Sequence, residues 1–179
     1  MDRSKVGESN NIGRLAALLN DVRDREPPPV ERWDPPYCGD IGLKICADGI
    51  WVYRDRPIRR EGLIKLFASV LSKDVDGRTY LVTPAEKVDV EVEDAPFLAV
   101  EMEVHGSGTG QELIFRTNVD DIVRCGPEHP LRFSVQERSG GLKPYLHVRG
   151  RLEALVTRAL RSEERRVGKE CRSRWSPYH

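Results

Sequence analysis

The chain has 179 residues, in which 29 Lys+Arg balance 29 Asp+Glu for a formal charge of zero. An apolar share of 39% beside a charged share of 32% leaves room for one domain or two small ones, with a thin core and a well-solvated surface. No apolar run reaches the roughly 18 residues of a membrane span; the four Cys lack the spacing of a disulfide framework or zinc site, and balanced charge argues against a nucleic-acid polymer as partner.

In chain order, the first nine residues are polar. Asn10 and Asn11 can then cap a short helix with Ile12, Leu15, Leu19 and Val22 at helical spacing, ended by Pro27-Pro28-Pro29. A proline-rich entry, Pro27 to Pro36, surrounds Trp33. From Leu43 the period becomes two: Leu43, Ile45 and Ala47 alternate with polar neighbours, and Asp48-Gly49 precedes Ile50-Trp51-Val52-Tyr53. Asp-Gly between strand-like runs predicts a hairpin whose turn residues both take positive φ. Leu63, Leu66, Phe67 and Val70, with Ile64 and Leu71 beside them, predict an amphipathic helix of about three turns.

Beyond Gly77 the chain reads almost wholly as strands, over 79–83, 87–92, 97–104, 112–117, 131–136, 145–149 and 151–157, broken by Pro and Gly turns. The fold class this predicts is α+β, strand-rich with few helices. Gly77-Arg78-Thr79-Tyr80-Leu81-Val82 and Gly141-Leu142-Lys143-Pro144-Tyr145-Leu146 each lead, at nearly equal distance, into a further alternating strand. That faint repeat implies two related halves. Residues 162–179 turn abruptly Arg-rich without apolar periodicity and resemble translated vector or adapter sequence.

Motifs that carry chemistry are few. Gly106-Ser107-Gly108-Thr109-Gly110 is followed by a strand rather than a helix, so it predicts a hairpin loop and not a phosphate loop. No pair of His105, His129 and His147 has zinc spacing, so neither a metal nor a cofactor is expected. His129 sits in the constrained loop Gly126-Pro127-Glu128-His129-Pro130, where a ligand contact is conceivable. Cys38, beside Asp40, reads as a small buried thiol in a tight turn rather than a nucleophile, and Cys46 and Cys125 read as buried apolar residues. Thr83-Pro84-Ala85-Glu86-Lys87 offers a hydroxyl, an acid and an ammonium on a rigid turn; the plainer reading is a polar surface turn. Arg116-Thr117-Asn118, followed by Asp120 and Asp121, ends a strand with anion-suited chemistry, and Arg59-Arg60 precede the amphipathic helix. Together these suggest a polar pocket for a small anionic ligand.

Several segments resemble the proteobacterial family called domain of unknown function 1285. They are Trp33-Asp34-Pro35-Pro36-Tyr37-Cys38-Gly39-Asp40-Ile41, Asp48 to Tyr53, Pro57-Ile58, Tyr80 to Val88, Asp94-Ala95-Pro96-Phe97, Arg116 to Asp120 and Pro144-Tyr145-Leu146. Gly42 departs from the pattern, which leads one to expect an acid there. The resemblance implies a duplicated two-domain fold whose second half is pleckstrin-homology-like. It also implies an interface pocket suited to a nucleotide-like ligand, and a role in signalling.

The expected organisation is an N-terminal helix and loose segment over 1–26, an α+β domain over 27–95, a mainly-β domain over 96–160 and a non-native tail over 161–179. That tail carries six Lys+Arg and three Asp+Glu, so residues 1–160 hold 23 basic against 26 acidic residues, a charge of −3. The favoured function is a non-catalytic, cytoplasmic, small-ligand binding module. Its cationic end would come from Arg59, Lys87 or Arg116, and Trp33, Trp51 or Tyr53 would offer a stacking face. Core packing is the plainer role for both Trp residues. Asp40, Thr83, Glu86, Asn118, Asp120 and His129 complete the candidate set. The alternatives are a hydrolase of nucleotide-type substrates, with Glu86 or Asp40 as base, and an adaptor holding a protein partner.

Overall fold

The structure, a computed structural model, describes residues 28–157 and Leu160. The expected N-terminal helix before Pro27 and the Arg-rich tail lie outside the described residues. Two compact units emerge. The first takes the described residues up to Cys46 together with Ile50–Glu93, and the second takes Ala47–Gly49 and those from Asp94 onward.

The first unit is a six-stranded sheet: β1 (Tyr37–Ile45), β2 (Trp51–Tyr53), β3 (Arg56–Pro57), β4 (Leu71–Lys73), β5 (Thr79–Val82) and β6 (Lys87–Val92), in the order β3-β2-β1-β6-β5-β4. A helix, α1 (Glu61–Ser69), joins β3 to β4. The second unit holds β7 (Phe97–His105), β8 (Glu112–Thr117), β9 (Ile122–Arg124), β10 (Leu131–Val135), β11 (Leu142–Arg149) and β12 (Leu152–Val156), in the order β9-β8-β7-β12-β11-β10. The two orders are the same. Each sheet consists of two three-stranded meanders joined by a parallel pair, β1 with β6 and β7 with β12. The pair of similar sheets places β5 and β11, the strands of the faint sequence repeat, at equivalent positions. The protein is strand-rich, with one complete α-helix among the described residues.

Alternation builds the cores. Register sets Ile45 opposite Trp51 and Val92, Leu43 opposite Tyr53 and Val90, and Leu81 opposite Val88 and Leu71. Residues directly opposite share a face, so these make one apolar surface. On α1, Leu66, Phe67 and Ala68 are buried, and the Phe67 ring lies 6.3 Å from that of Trp51. Burying a phenylalanine fully is worth about 1.5–3 kcal/mol. The second unit buries Phe97, Ala99, Phe115, Leu146, Ala154 and Val156. Its connection from β9 to β10, Cys125 to Pro130, carries no helix where the first unit has α1.

Three local expectations are corrected. Of Asp48 and Gly49, only Gly49 has positive φ (+85°). The Cys46 amide donates to the Ile50 carbonyl at 2.9 Å, so the loop has three residues with glycine at its left-handed position. The two-residue turn with both φ positive lies instead at Arg54 (47°) and Asp55 (65°), between Tyr53 and its partner Arg56. Leu71 does not extend the helix: pairing with Leu81 draws it into β4. Finally, β1 starts at Tyr37, directly after the proline-rich entry and six residues before the expected Leu43, because bulges disguise its first half. From Tyr37 to Leu43 it advances six residues while β6 advances three, Lys87 to Val90. Gly39 (φ +85°) and Gly42 (φ +82°) sit in these bulges, which break the period-two signal.

Among the described residues, no helix is long and apolar enough to cross a membrane.

Candidate functional site

In the first unit, one sheet face is polar. Tyr37 stands opposite Lys87 and Tyr80 opposite Asp89. The Tyr37 hydroxyl donates to Asp89, and the Arg78 guanidinium donates to the same carboxylate at 2.8 Å. Arg78 lies 5.5 Å above the Tyr80 ring, and Lys87 Nζ lies 4.0 Å from that ring's centroid while bonding Asp74 at 2.8 Å. The hydrogen bond to Asp89 holds the Tyr37 phenol above its ordinary range, and the bond to Asp74 raises the Lys87 ammonium. Each cation of this face therefore already has a carboxylate.

Thr83 and Glu86 belong to the β5–β6 turn. Buried Thr83 Oγ1 accepts the Ala85 and Glu86 amides at 3.2 and 3.0 Å and donates to the Glu86 carbonyl at 3.1 Å. The hydroxyl that sequence offered to a ligand instead satisfies the turn's backbone. Glu86 is buried as well. Asp40 Oδ1 accepts the Gly42 amide at 2.7 Å, closing the second bulge.

The edge of this sheet is different. Arg54 and Arg56 lie on the β2–β3 hairpin, and Arg59 and Arg60 lead from it into α1, with Arg60 at the N-cap. All four are exposed, against Asp55 and Glu61 as the acids of the stretch. Arg54 is fixed by its amide bond to the Gly42 carbonyl (2.9 Å) and lies 5.3 Å from the centroid of the half-buried Tyr53 ring. A Cβ on Gly42 would meet Arg54 Cγ at 3.0 Å, so the glycine makes room for this arginine. Among the described residues, Arg56, Arg59 and Arg60 make no ion pair.

The second unit carries the remaining candidates. Arg116 forks onto Glu101 at 2.8 and 2.6 Å and also bonds Asp120 at 2.6 Å. These bonds hold its guanidinium well above its usual range and Glu101 below the carboxylate range. Asp120 has φ +67° in the β8–β9 loop, and Asn118 Oδ1 accepts the Leu98 amide at 3.0 Å. His129 Nδ1 contacts the His147 carbonyl at 3.2 Å, the two imidazoles stacking at 5.6 Å. Asp94 takes the Lys143 ammonium at 2.7 Å and the Tyr145 hydroxyl at 2.6 Å.

The candidate set therefore divides. Trp33, Asp40, Trp51, Tyr53, Arg59, Thr83, Glu86 and Lys87 lie in the first unit, and Arg116, Asn118, Asp120 and His129 in the second. Trp51 is fully buried and offers no stacking face; Trp33 is half-buried. Tyr53, half-buried at the end of β2, and Arg59, exposed just before α1, both lie on the arginine-bearing stretch. Cys38, expected buried, is exposed because the bulged strand turns it outward. Sequence reasoning missed Arg54 and Arg56, although four arginines between residues 54 and 60 were a signal in plain composition. It also missed Tyr37, Arg78 and Asp89, whose meeting depends on register. Among the described residues, no group of three His, Cys, Asp or Glu could hold a metal ion.

Comparisons with known proteins agree with this architecture. The model described as "Domain of unknown function (DUF1285), N-terminal domain" matches residues 28–95, and that described as "Protein of unknown function (DUF1285), C-terminal domain" matches residues 96–171. A crystal structure of a DUF1285 family protein from Silicibacter pomeroyi is similar at 43% identity and TM-score 0.76, covering 83% of this chain and 81% of that one. Another, from Shewanella baltica, is similar at 27% identity and TM-score 0.54, covering 70% and 91%. No curated protein matches.

Proposed function

The chain belongs to the DUF1285 family, and from that premise we propose that it is a non-catalytic binding module for a small anionic, nucleotide-like ligand, with a regulatory role. The observation that carries this reading is the edge of the first unit, where Arg56, Arg59 and Arg60 are exposed without an ion pair among the described residues. Guanidinium groups present forked donors that match phosphate oxygens. The first-turn amides of α1 add a favourable field for an anion. The Tyr53 ring with Arg54 above it offers a flat surface on which a base can stack. The other proposed cations are less suited: Lys87 serves Asp74, and Arg116 serves Glu101 and Asp120. Descent of the two units from one duplicated ancestor belongs to the same reading, supported by their common strand order, as does a pleckstrin-like second unit.

The test is a thermal-shift screen with ATP, ADP, a dinucleotide and pyrophosphate. A ligand at a hundred times its Kd stabilises by about 2.7 kcal/mol. The melting temperature should rise for the wild type, and the rise should vanish in an Arg59→Ala/Arg60→Ala double variant. No shift with any probe at millimolar concentration, or a shift the double variant retains, would overturn the proposal.

A further inference from the structure

Each sheet has two edge strands, and three of the four are protected. β3 is two residues containing Pro57 and Arg56, β4 is three residues ending on Lys73, and β9 is three ending on Arg124. Short length, proline and charge are what keep an edge from pairing with another chain. β10 is less protected: it is five residues long, Leu131-Arg132-Phe133-Ser134-Val135, it has no proline, and its one charge, Arg132, is drawn back to Glu153 by a bidentate bond at 3.0 and 2.7 Å.

Its side chains and its free backbone coincide. The His147 amide donates to the Pro130 carbonyl and the Gln136 amide to the Gly141 carbonyl, so even-numbered positions bond toward β11. In an antiparallel ladder the alternate residues then aim both main-chain groups outward. Those residues are Leu131, Phe133 and Val135. Their side chains share a face with Leu142, opposite Val135. Phe133 is 50%, Val135 64% and Leu142 42% exposed. Nothing in the β9–β10 connection plays the part that α1 plays in the first unit.

We propose that β10 is a homodimerisation edge, occupied by β10 of a second copy in antiparallel register about Phe133. That register sets Phe133 against the partner's Phe133 and Leu131 against the partner's Val135. Every outward residue then gains both its main-chain hydrogen bonds. Apolar meets apolar along the whole face, and Arg132 stands across from the partner's Ser134 rather than from its own like charge. A two-fold axis needs just such self-complementarity. The uncharged face selects a second copy of this strand over a charged peptide.

The test uses the full chain in sedimentation equilibrium, with Phe133→Lys and Phe133→Glu measured singly and mixed. The wild type should show twice its 20.3 kDa mass. Each single variant should be monomeric, because like charges then meet at the axis, and the equimolar mixture should regain the doubled mass. Circular dichroism matching the wild type shows that the variants fold. A wild type that stays monomeric over a dilution series overturns the proposal, whether the strand is bare or covered by the chain itself. So does a dimer that survives in Phe133→Lys, and a mixture that stays monomeric overturns the register about Phe133.

Discussion

Tyr145→Phe removes one hydroxyl and should erase a slope in stability against pH. Tyr145 is 9% exposed and donates to Asp94 Oδ1 at 2.6 Å, while Lys143 bonds the other oxygen at 2.7 Å. Burial first, and the hydrogen bond to Asp94 second, push the phenol up to about 12 from its ordinary 10.0. A raised pKa in the folded state stabilises fully below the unfolded value and is lost as pH climbs through the folded one. The window is therefore about pH 10 to about 12, and two units at about 1.36 kcal/mol each give roughly 2.7 kcal/mol. Near neutrality the variant loses a hydrogen bond to a charged acceptor, about 1.5–3 kcal/mol.

Denaturant unfolding of both proteins from about pH 9 to about pH 12 measures the difference directly. The wild type should lead at the lower end, and its lead should close across the window. Other groups titrating there cancel in the comparison. Parallel curves, with the lead unchanged, would refute the assignment of the alkaline loss to Tyr145. Asp94 gives the acid-side counterpart. Burial alone would raise its carboxyl, but the bonds from Lys143 and Tyr145 outweigh it and hold it below the ordinary carboxylate range. Its contribution is present above that range and is lost as pH falls through the lowered value.

Phe67→Ala should cost about 3–5 kcal/mol in urea unfolding, since the ring is fully buried against Trp51; a loss under about 1 kcal/mol would contradict that packing. Gly42→Ala should destabilise by about 1–2 kcal/mol, because φ is +82° and the new Cβ meets Arg54 Cγ at 3.0 Å. An unchanged denaturation midpoint would show that the second bulge of β1 is not held in this conformation.

Strands were legible wherever alternation was intact. The runs 87–92 and 112–117 match β6 and β8 to the residue, and the Gly-rich loop does join β7 to β8 as a hairpin. Legibility failed where bulges interrupt the period, as in Tyr37 to Gly42, and where a strand has three residues, as in β4 and β9. The parallel closures of β1 on β6 and β7 on β12 depend on contacts distant in sequence, which local pattern does not carry. The site follows the same division. Arginine density between residues 54 and 60 is written in the chain, whereas the carboxylates that occupy Lys87 and Arg116 arrive through cross-strand register and turn geometry. Trp51 as a core residue follows from its place opposite Ile45.

The arginine-bearing edge as an anion site is tested most directly by an amide-resolved NMR titration of the full chain with ATP. Saturable shifts concentrated on Tyr53 to Gly62 are the predicted result. Shifts centred instead on Lys87 or on Arg116, or no saturable shift anywhere, would contradict it.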